Sequence, residues 1–225
     1  TMLKRIKLCE RKLPNYTVGE EVMNMVTHIV GAATGISILL LCTLKAIIAG
    51  NAADIIGATI YGVSMITLYT ISSIYHGLHP CTGKKVMQIL DHCSIYVLIA
   101  GTYTPILLSA FIPVYPVLGW GLLGAQWCLA TVAITLTAID LRKYRVFSMI
   151  CYIGMGWCII FFLPQTLALL TAPGFLFLLL GGIAYTIGAI LFAIGSKLHW
   201  FHSVFHIFTV IGSILQFAAI YLYVL

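Results

Sequence analysis

Long apolar runs with almost no charge limit what this sequence can fold into. Hydrophobic residues make up 61% of its 225 positions, and Asp, Glu, Lys and Arg together only 8%. A soluble domain carries about 25% charged residues, so this composition cannot cover a water-facing surface. A helix needs about 20 apolar residues to cross the hydrocarbon of a bilayer, and the runs reach that length. The sequence therefore predicts an integral membrane protein.

The apolar runs are separated by short breaks of turn-forming residues. All of them exceed strand length and none alternates, which excludes an outer-membrane barrel. We expect an all-α, polytopic bundle of seven transmembrane helices over residues 22–225, preceded by a basic cytoplasmic segment over residues 1–21. The predicted spans are 22–49, 55–78, 86–110, 117–140, 146–170, 174–195 and 200–224. Pro164 predicts a kink in span five, and the GxxxG pair Gly31 and Gly35 predicts a close helix contact.

Lys and Arg set the predicted orientation, because they concentrate in short cytoplasmic loops. With seven spans, eleven of the twelve fall on one side and only Lys45 on the other, which places the amino terminus in the cytoplasm. The eleven are Lys4, Arg5, Lys7, Arg11, Lys12, Lys84, Lys85, Arg142, Lys143, Arg145 and Lys197. The net charge of +6 therefore reflects the orientation of the protein in the membrane.

We expect no nucleic-acid or nucleotide partner, because the sequence contains neither a basic face interleaved with aromatics nor a phosphate loop.

The seven histidines all fall near the cytoplasmic end of a predicted span. Ionisable groups inside a membrane segment are costly, and by default they mark a functional site. His202 and His206 are four residues apart, so they share one helix face, and His76 could join them from span two. Three neutral imidazoles with an open fourth position are typical of catalytic zinc. Spacing alone does not exclude His199 as a ligand, although interfacial positions are the expectation for His79 and His199.

Two further polar residues share this depth. Asp91, just inside span three, could act as a general base or orient a metal-bound water. Alternatively it caps the helix start or pairs with Lys84 or Lys85. Ser72 lies four residues before His76 on the same face, where its hydroxyl could reach a metal-bound water or simply bond a backbone carbonyl.

Short motifs lie in order in six of the seven predicted spans. They are Glu20, Glu21, Asn24, Thr27, His28 and Gly31; 72–76 (SSIYH); 90–92 (LDH), 95–96 (IY) and 100–105 (AGTYTP); 155–157 (MGW); Gly181, Gly182, Tyr185 and Gly188; and 202–206 (HSVFH) with Gly212 and Ser213. Together they resemble the haemolysin-III-like family, the bacterial branch of the progestin and adipoQ receptor superfamily. Two positions depart from it: His199 stands where relatives often have Pro, and Gln216 where many have His.

The resemblance implies a seven-helix fold in a bacterial plasma membrane, with zinc held by His76, His202 and His206 near the cytoplasmic face. It also implies that Ser72 and Asp91 lie beside the metal and its water. Related receptors are linked to ceramide hydrolysis, and the alkaline ceramidases belong to the same wider superfamily. On this basis His199 is not assigned as a ligand.

Three functions remain open from the sequence. The first is a zinc-dependent hydrolase acting on the amide or ester of a membrane lipid. The second is a non-enzymatic sensor or regulator of membrane lipid state, in which zinc is structural. The third is a cytolysin or channel, which should show polar residues along the full depth of a helix, whereas the outer half here is apolar. The sequence fixes neither the lipid nor the oligomeric state.

Overall fold

The computed structural model describes residues 8–195 and 198–225, and its regular secondary structure there is entirely helical. The main helices are α1 (Val18–Ala49), α2 (Ala52–Gly77), α3 (Thr82–Pro105), α4 (Pro116–Ile139), α5 (Arg145–Trp157), α6 (Leu163–Gly195) and α7 (Phe201–Tyr223). A π-helical segment, Ile106–Phe111, and a short turn, Ile112–Val114, extend α3. Within the described ranges there is no strand, so the predicted all-α class is confirmed.

The first two helices are delimited by capping chemistry. Thr17 Oγ1 accepts a hydrogen bond from the Glu20 N–H at 3.2 Å, and Glu20 Oε2 accepts one from the Thr17 N–H at 2.8 Å. This capping box starts α1. Gly50 ends it at φ 73°, a left-handed conformation that glycine adopts at little cost. Asn51 then caps α2 by accepting from the Ala53 N–H at 2.9 Å, so α1 and α2 form a hairpin.

Helices α1 and α2 approach closely at the GxxxG pair. A Cβ added at Gly31 would lie 2.5 Å from Cδ1 of Tyr69, and one at Gly35 would lie 3.2 Å from Cγ1 of Ile66. Tyr69 is fully buried, and its hydroxyl lies 2.6 Å from Oγ of Ser213 on α7. The predicted close contact is therefore confirmed, and it is tied through Tyr69 to a third helix.

Large aliphatic side chains cover the outside of the bundle, and polar ones lie within it. Ile48 and Val117 are 86% and 88% exposed, whereas Asn24 and Thr166 are fully buried. In the described part of the chain, six helical runs are long and apolar enough to cross a membrane. Soluble proteins bury their apolar residues instead, so this distribution defines a multi-pass membrane protein.

Contacts between α1 and α7 define the two ends of the bundle. At one end, the Trp200 N–H, which precedes α7, donates to Glu20 Oε1 in the first turn of α1 at 2.6 Å. At the other end, the Lys45 ammonium donates to the carbonyl of Tyr221. These two helices therefore run in the same direction. The end marked by Glu20 also holds Arg11, whose guanidinium reaches the Ile139 carbonyl at the end of α4.

The longest helical run, Arg145–Gly195, has 51 residues. A straight helix of that length would measure about 77 Å, against a hydrocarbon core of about 30 Å. The run changes to a 3-10 segment just before Pro164, where the sequence predicts a kink, and it is broken at Thr171, which has φ 61° and ψ 169°. Its two ends, Arg145 and Gly195, line the same polar chamber. Gly174, by contrast, packs against Tyr223 at the far end of α7.

Candidate metal centre and adjoining cavity

Three histidines from two helices meet at one point inside the bundle. His76 lies in the last turn of α2, and His202 and His206 lie in the first two turns of α7. The Nε2 atom of His202 is 3.1 Å from Nε2 of His206 and 3.4 Å from Nε2 of His76. All three residues are buried, and their candidate ligand atoms lie within 4.8 Å of one another. This group could therefore hold a metal ion.

The spacing of the imidazole nitrogens fits a tetrahedral metal. Ligands about 2.0–2.1 Å from a tetrahedral zinc ion lie about 3.3 Å from one another. The observed separations of 3.1 and 3.4 Å are close to this value. Neutral imidazole is also the form in which histidine binds metals. The donor set is therefore chemically suited to zinc and leaves a fourth position for another ligand.

Residues of α1 support the cluster from outside. Oε2 of Glu21 lies 2.6 Å from Nδ1 of His76, and Nδ2 of Asn24 lies 3.4 Å from the same nitrogen. A carboxylate can only accept, so Nδ1 of His76 carries the proton and Nε2 keeps its lone pair toward the cluster. Lys84 donates to Glu21 at 2.7 Å and to the Leu78 carbonyl at 2.8 Å. The ion pair described for Lys84 is therefore the one with Glu21.

Tyr16 covers the cluster on the side facing the amino-terminal segment. Its ring stacks on that of His202, with a centroid separation of 4.9 Å and an interplanar angle of 19°. Burial raises the pKa of the Tyr16 phenol, and the negative charges of Glu21, Asp91 and Glu20 raise it further. Tyr16 therefore stays a neutral phenol that shields the histidine rings at physiological pH.

Two buried polar side chains beside the cluster have no hydrogen-bond partner among the described residues. Ser72 is 1% exposed, and its Oγ is unpaired. His28 is 3% exposed, and neither ring nitrogen is paired. The His28 ring stacks on His206 at a centroid distance of 3.7 Å and an angle of 17°. Buried polar groups are normally satisfied, so this end of the site is suited to a polar ligand group.

An apolar cavity of about 170 Å³ starts at these groups. Ser72, Asp91, His28 and His206 line its polar end. Gln216, which donates to the Leu178 carbonyl at 3.1 Å, lies further along it. The rest of the wall is mainly apolar, with aliphatic side chains such as Ile99, Ile106 and Leu178 and aromatic ones such as Trp157, Phe175 and Phe205. The structure thus brings Ser72 and Asp91 to one cavity with a candidate metal ligand.

A second, polar chamber of about 800 Å³ lies at the basic end of the bundle. Arg11, Arg142, Arg145 and His202 are among its lining residues. Asp91 lines both this chamber and the apolar cavity, as do Met149, Tyr152 and Phe192. Asp91 therefore stands between a polar space and an apolar one, rather than at an exposed helix start.

The remaining histidines lie outside the cluster. His79 is exposed, and the side chain of His199 is 73% exposed with Nδ1 3.3 Å from Glu20. Both positions agree with the expectation of interfacial residues. Glu21 and His28 belong to the first sequence motif, which predicts no separate role for either residue. Both residues could have been identified from the spacing of positions 21, 24 and 28, because that spacing places three polar side chains on one face of α1.

Fold and site together define a class: an α-helical, multi-pass membrane protein with a buried three-histidine group at the end of an apolar cavity. The family model described as Haemolysin-III related matches residues 16–217. The chain therefore belongs to the haemolysin-III-related family.

Named relatives support this membership. The chain is 41% identical to Hemolysin-3 of Bacillus cereus over 208 residues, which is 92% of this chain and 93% of the relative. It is 38% identical to the Hemolysin-3 homolog of Bacillus subtilis (strain 168), over 92% and 96% of the two chains. A more distant similarity, 24% identity over 75% of this chain and 70% of the relative, links it to the human Monocyte to macrophage differentiation factor. No solved structure gives a significant match.

Proposed function

We propose that this protein is a zinc-dependent membrane hydrolase that cleaves the amide or ester bond of a membrane lipid. The observation that carries the proposal is the continuity between the apolar cavity and the histidine cluster. Ser72, Asp91 and His206 line one end of a space whose other walls are mainly apolar. A lipid chain lying in that space would bring its carbonyl group to the polar end.

The chain's own residues have distinct roles in this proposal. His76, His202 and His206 would hold the zinc ion, which when bound supplies a Lewis acid and lowers the pKa of a bound water to about 7. Ser72 Oγ, which lacks a partner in the described structure, would donate a hydrogen bond to the substrate carbonyl oxygen. The Asp91 carboxylate would accept a proton from the attacking water and return it to the leaving amine or alkoxide.

We further propose seven membrane crossings, with the amino terminus in the cytoplasm of a bacterial cell and the site near the inner face of its plasma membrane. Support comes from the run Arg145–Gly195, which is long enough to cross twice and is broken at Thr171. Both of its ends line the chamber at the basic end of the bundle, as two crossings require. Basic residues from the amino-terminal segment line the same chamber, in agreement with the positive-inside rule.

A sensor of membrane lipid state is the second candidate. The stacking of the Tyr16 ring on His202 favours this candidate, because a structural metal needs no substrate access from that side. In that case the cavity would bind a lipid without cleaving it. Two relatives bear the name Hemolysin-3, so erythrocyte lysis by the purified protein belongs in the same set of measurements.

The proposal is tested by incubating zinc-loaded protein with a panel of ceramides, N-acyl amines and glycerolipid esters, and measuring released fatty acid by mass spectrometry. Asp91→Asn keeps the side-chain shape and removes the base, so we expect a rate lowered about 10²–10⁴-fold with zinc retained. Asp140→Asn is the matched control, because the hydrogen bonds described for the Asp140 side chain are those it accepts from the backbone N–H groups of Arg142 and Lys143, at 3.1 Å each.

Two outcomes would contradict parts of this scheme. Full activity in zinc-loaded Asp91→Asn would remove Asp91 as the base. An absence of cleavage across the whole panel by zinc-loaded wild-type protein would replace the hydrolase with the sensor.

A further inference from the structure

The Glu21 carboxylate, whose side chain is 21% exposed, links a buried lysine to a candidate metal ligand. Its Oε2 atom is 2.6 Å from Nδ1 of His76, and its Oε1 atom is 2.7 Å from Nζ of Lys84. Lys84 is only 4% exposed. The carboxylate therefore uses both oxygens, one for an imidazole and one for a buried ammonium group.

A second contact of Lys84 anchors the Glu21–Lys84 ion pair to the end of α2. Its ammonium also donates to the Leu78 carbonyl at 2.8 Å, and Leu78 is the residue that caps the end of α2. One cation thus binds both the carboxylate and the last turn of the helix that carries His76. Burying an ammonium group is costly unless it is paired, so Lys84 in turn fixes where the Glu21 carboxylate can lie.

The contact between Glu21 and His76 has a chemical consequence for metal binding. A hydrogen bond from Nδ1 to a carboxylate selects the tautomer whose Nε2 is free to bind a metal, and it fixes the ring orientation. It also increases electron donation by the imidazole to the metal. Nε2 of His76 faces Nε2 of His202 at 3.4 Å, as such a ligand must.

We propose that Glu21 is a positioning residue of the metal centre, acting through His76, and that Lys84 holds Glu21 in place. This inference rests on the proposed function, because it requires that the three-histidine group binds zinc. It assigns a role to a carboxylate that touches neither the metal position nor the apolar cavity.

The neighbouring glutamate provides a matched control. Glu20 lies in the same turn of α1 and is 3% exposed, yet its carboxylate contacts no ring of the three-histidine group. It accepts from the Trp200 N–H at 2.6 Å and from Thr17, and it lies 3.3 Å from His199. Replacing Glu20 by Gln therefore removes the same charge from the same helical turn without changing the contact to His76.

The experiment compares purified wild type, Glu21→Gln and Glu20→Gln by chelator competition for zinc and by the visible spectrum of the cobalt-loaded protein. We expect Glu21→Gln to weaken zinc binding about 10–100-fold, the usual cost of losing such a partner. Its cobalt bands should also shift in wavelength, because the donor strength of one ligand changes. Glu20→Gln should keep the wild-type zinc affinity and band positions, although its melting temperature falls.

A double variant separates metal positioning from a general effect of burying Lys84 without a partner. Glu21→Gln combined with Lys84→Met removes the buried ammonium group together with its carboxylate partner, so its fold should recover while its zinc affinity stays low. Recovery of wild-type zinc affinity in the double variant would overturn the inference, as would wild-type affinity and spectrum in Glu21→Gln alone. Failure of the wild-type protein to take up zinc would overturn the proposed function itself, and this inference with it.

Discussion

Replacing Gly31 by Ala should destabilise the bundle much more than the same change elsewhere. The added Cβ would lie 2.5–2.8 Å from three atoms of the Tyr69 ring, so the ring or a helix must move. Tyr69 cannot move freely, because its hydroxyl contacts Ser213 Oγ at 2.6 Å and donates to the Thr209 carbonyl at 3.2 Å. Overpacking of this kind costs about 1–3 kcal/mol, and each strained interhelical hydrogen bond about 0.6 kcal/mol. The expected loss of stability is about 2–4 kcal/mol.

Thermal unfolding in detergent measures this loss. For a protein of this size, 2–4 kcal/mol corresponds to a fall in Tm of roughly 4–16 °C. Gly154→Ala is the control, because a Cβ added at Gly154 in α5 meets nothing within 4 Å. There the substitution should be neutral or slightly stabilising, since Ala is the better helix former. Equal melting temperatures for Gly31→Ala and Gly154→Ala would refute the close contact between α1 and α2.

Three further predictions concern the metal and the topology. Alanine at His202 or His206 should abolish stoichiometric zinc binding in elemental analysis, and zinc in the wild type should show nitrogen ligands at about 2.0–2.1 Å by X-ray absorption; full zinc content in either variant would contradict the ligand assignment. Zinc affinity should fall on acidification, because protonated imidazole cannot bind a metal, and zinc content that stays unchanged down to the pH at which the protein unfolds would contradict a histidine site. Reporter fusions at Lys84, Arg142 and Lys197 should all report cytoplasm, and one external signal among them would exclude the proposed topology.

The helices could be predicted from the sequence because the membrane restricts the choice so strongly. Span two, predicted at 55–78, is observed as α2 at Ala52–Gly77. The observed helix starts three residues earlier than predicted, because Asn51 caps it and Asp54 lies buried in its first turn. Turn residues thus identify a break between helices more reliably than they identify its last residue.

The candidate metal site could be predicted from the sequence only for residues that lie on the same helix. His202 and His206 share a face at any rotation of α7, so their four-residue spacing was enough to pair them. The contact between Glu21 and His76 depends instead on how α1 is rotated against α2, which side-chain packing decides. An acidic residue in the first turn of a helix also complements the helix dipole, so the presence of Glu21 there does not by itself indicate a metal site.

The cavity could not be predicted for a related reason. Its walls come from α1, α2, α3, α5, α6 and α7, and its volume depends on where their side chains fail to meet. The break at Thr171 and the 3-10 segment Cys158–Phe162 shape the helices that form one wall, and neither conformation is specified by apolar periodicity. Hydrophobicity identifies which residues avoid water, but it does not reveal the gaps between them.

The polar first turn of α1 gains a physical explanation from these contacts. Glu20 holds the N–H of Trp200 at the start of α7, and Glu21 holds the ring of His76 at the end of α2. One turn of α1 therefore contacts both the end of α2 and the start of α7. Tyr16, immediately before that turn, stacks on a ring of the three-histidine group. Glu21 contacts a candidate metal ligand directly, whereas Glu20 contacts the backbone that precedes α7, so we expect the loss of Glu20 to lower the stability of the bundle and to leave the geometry of the three-histidine group unchanged.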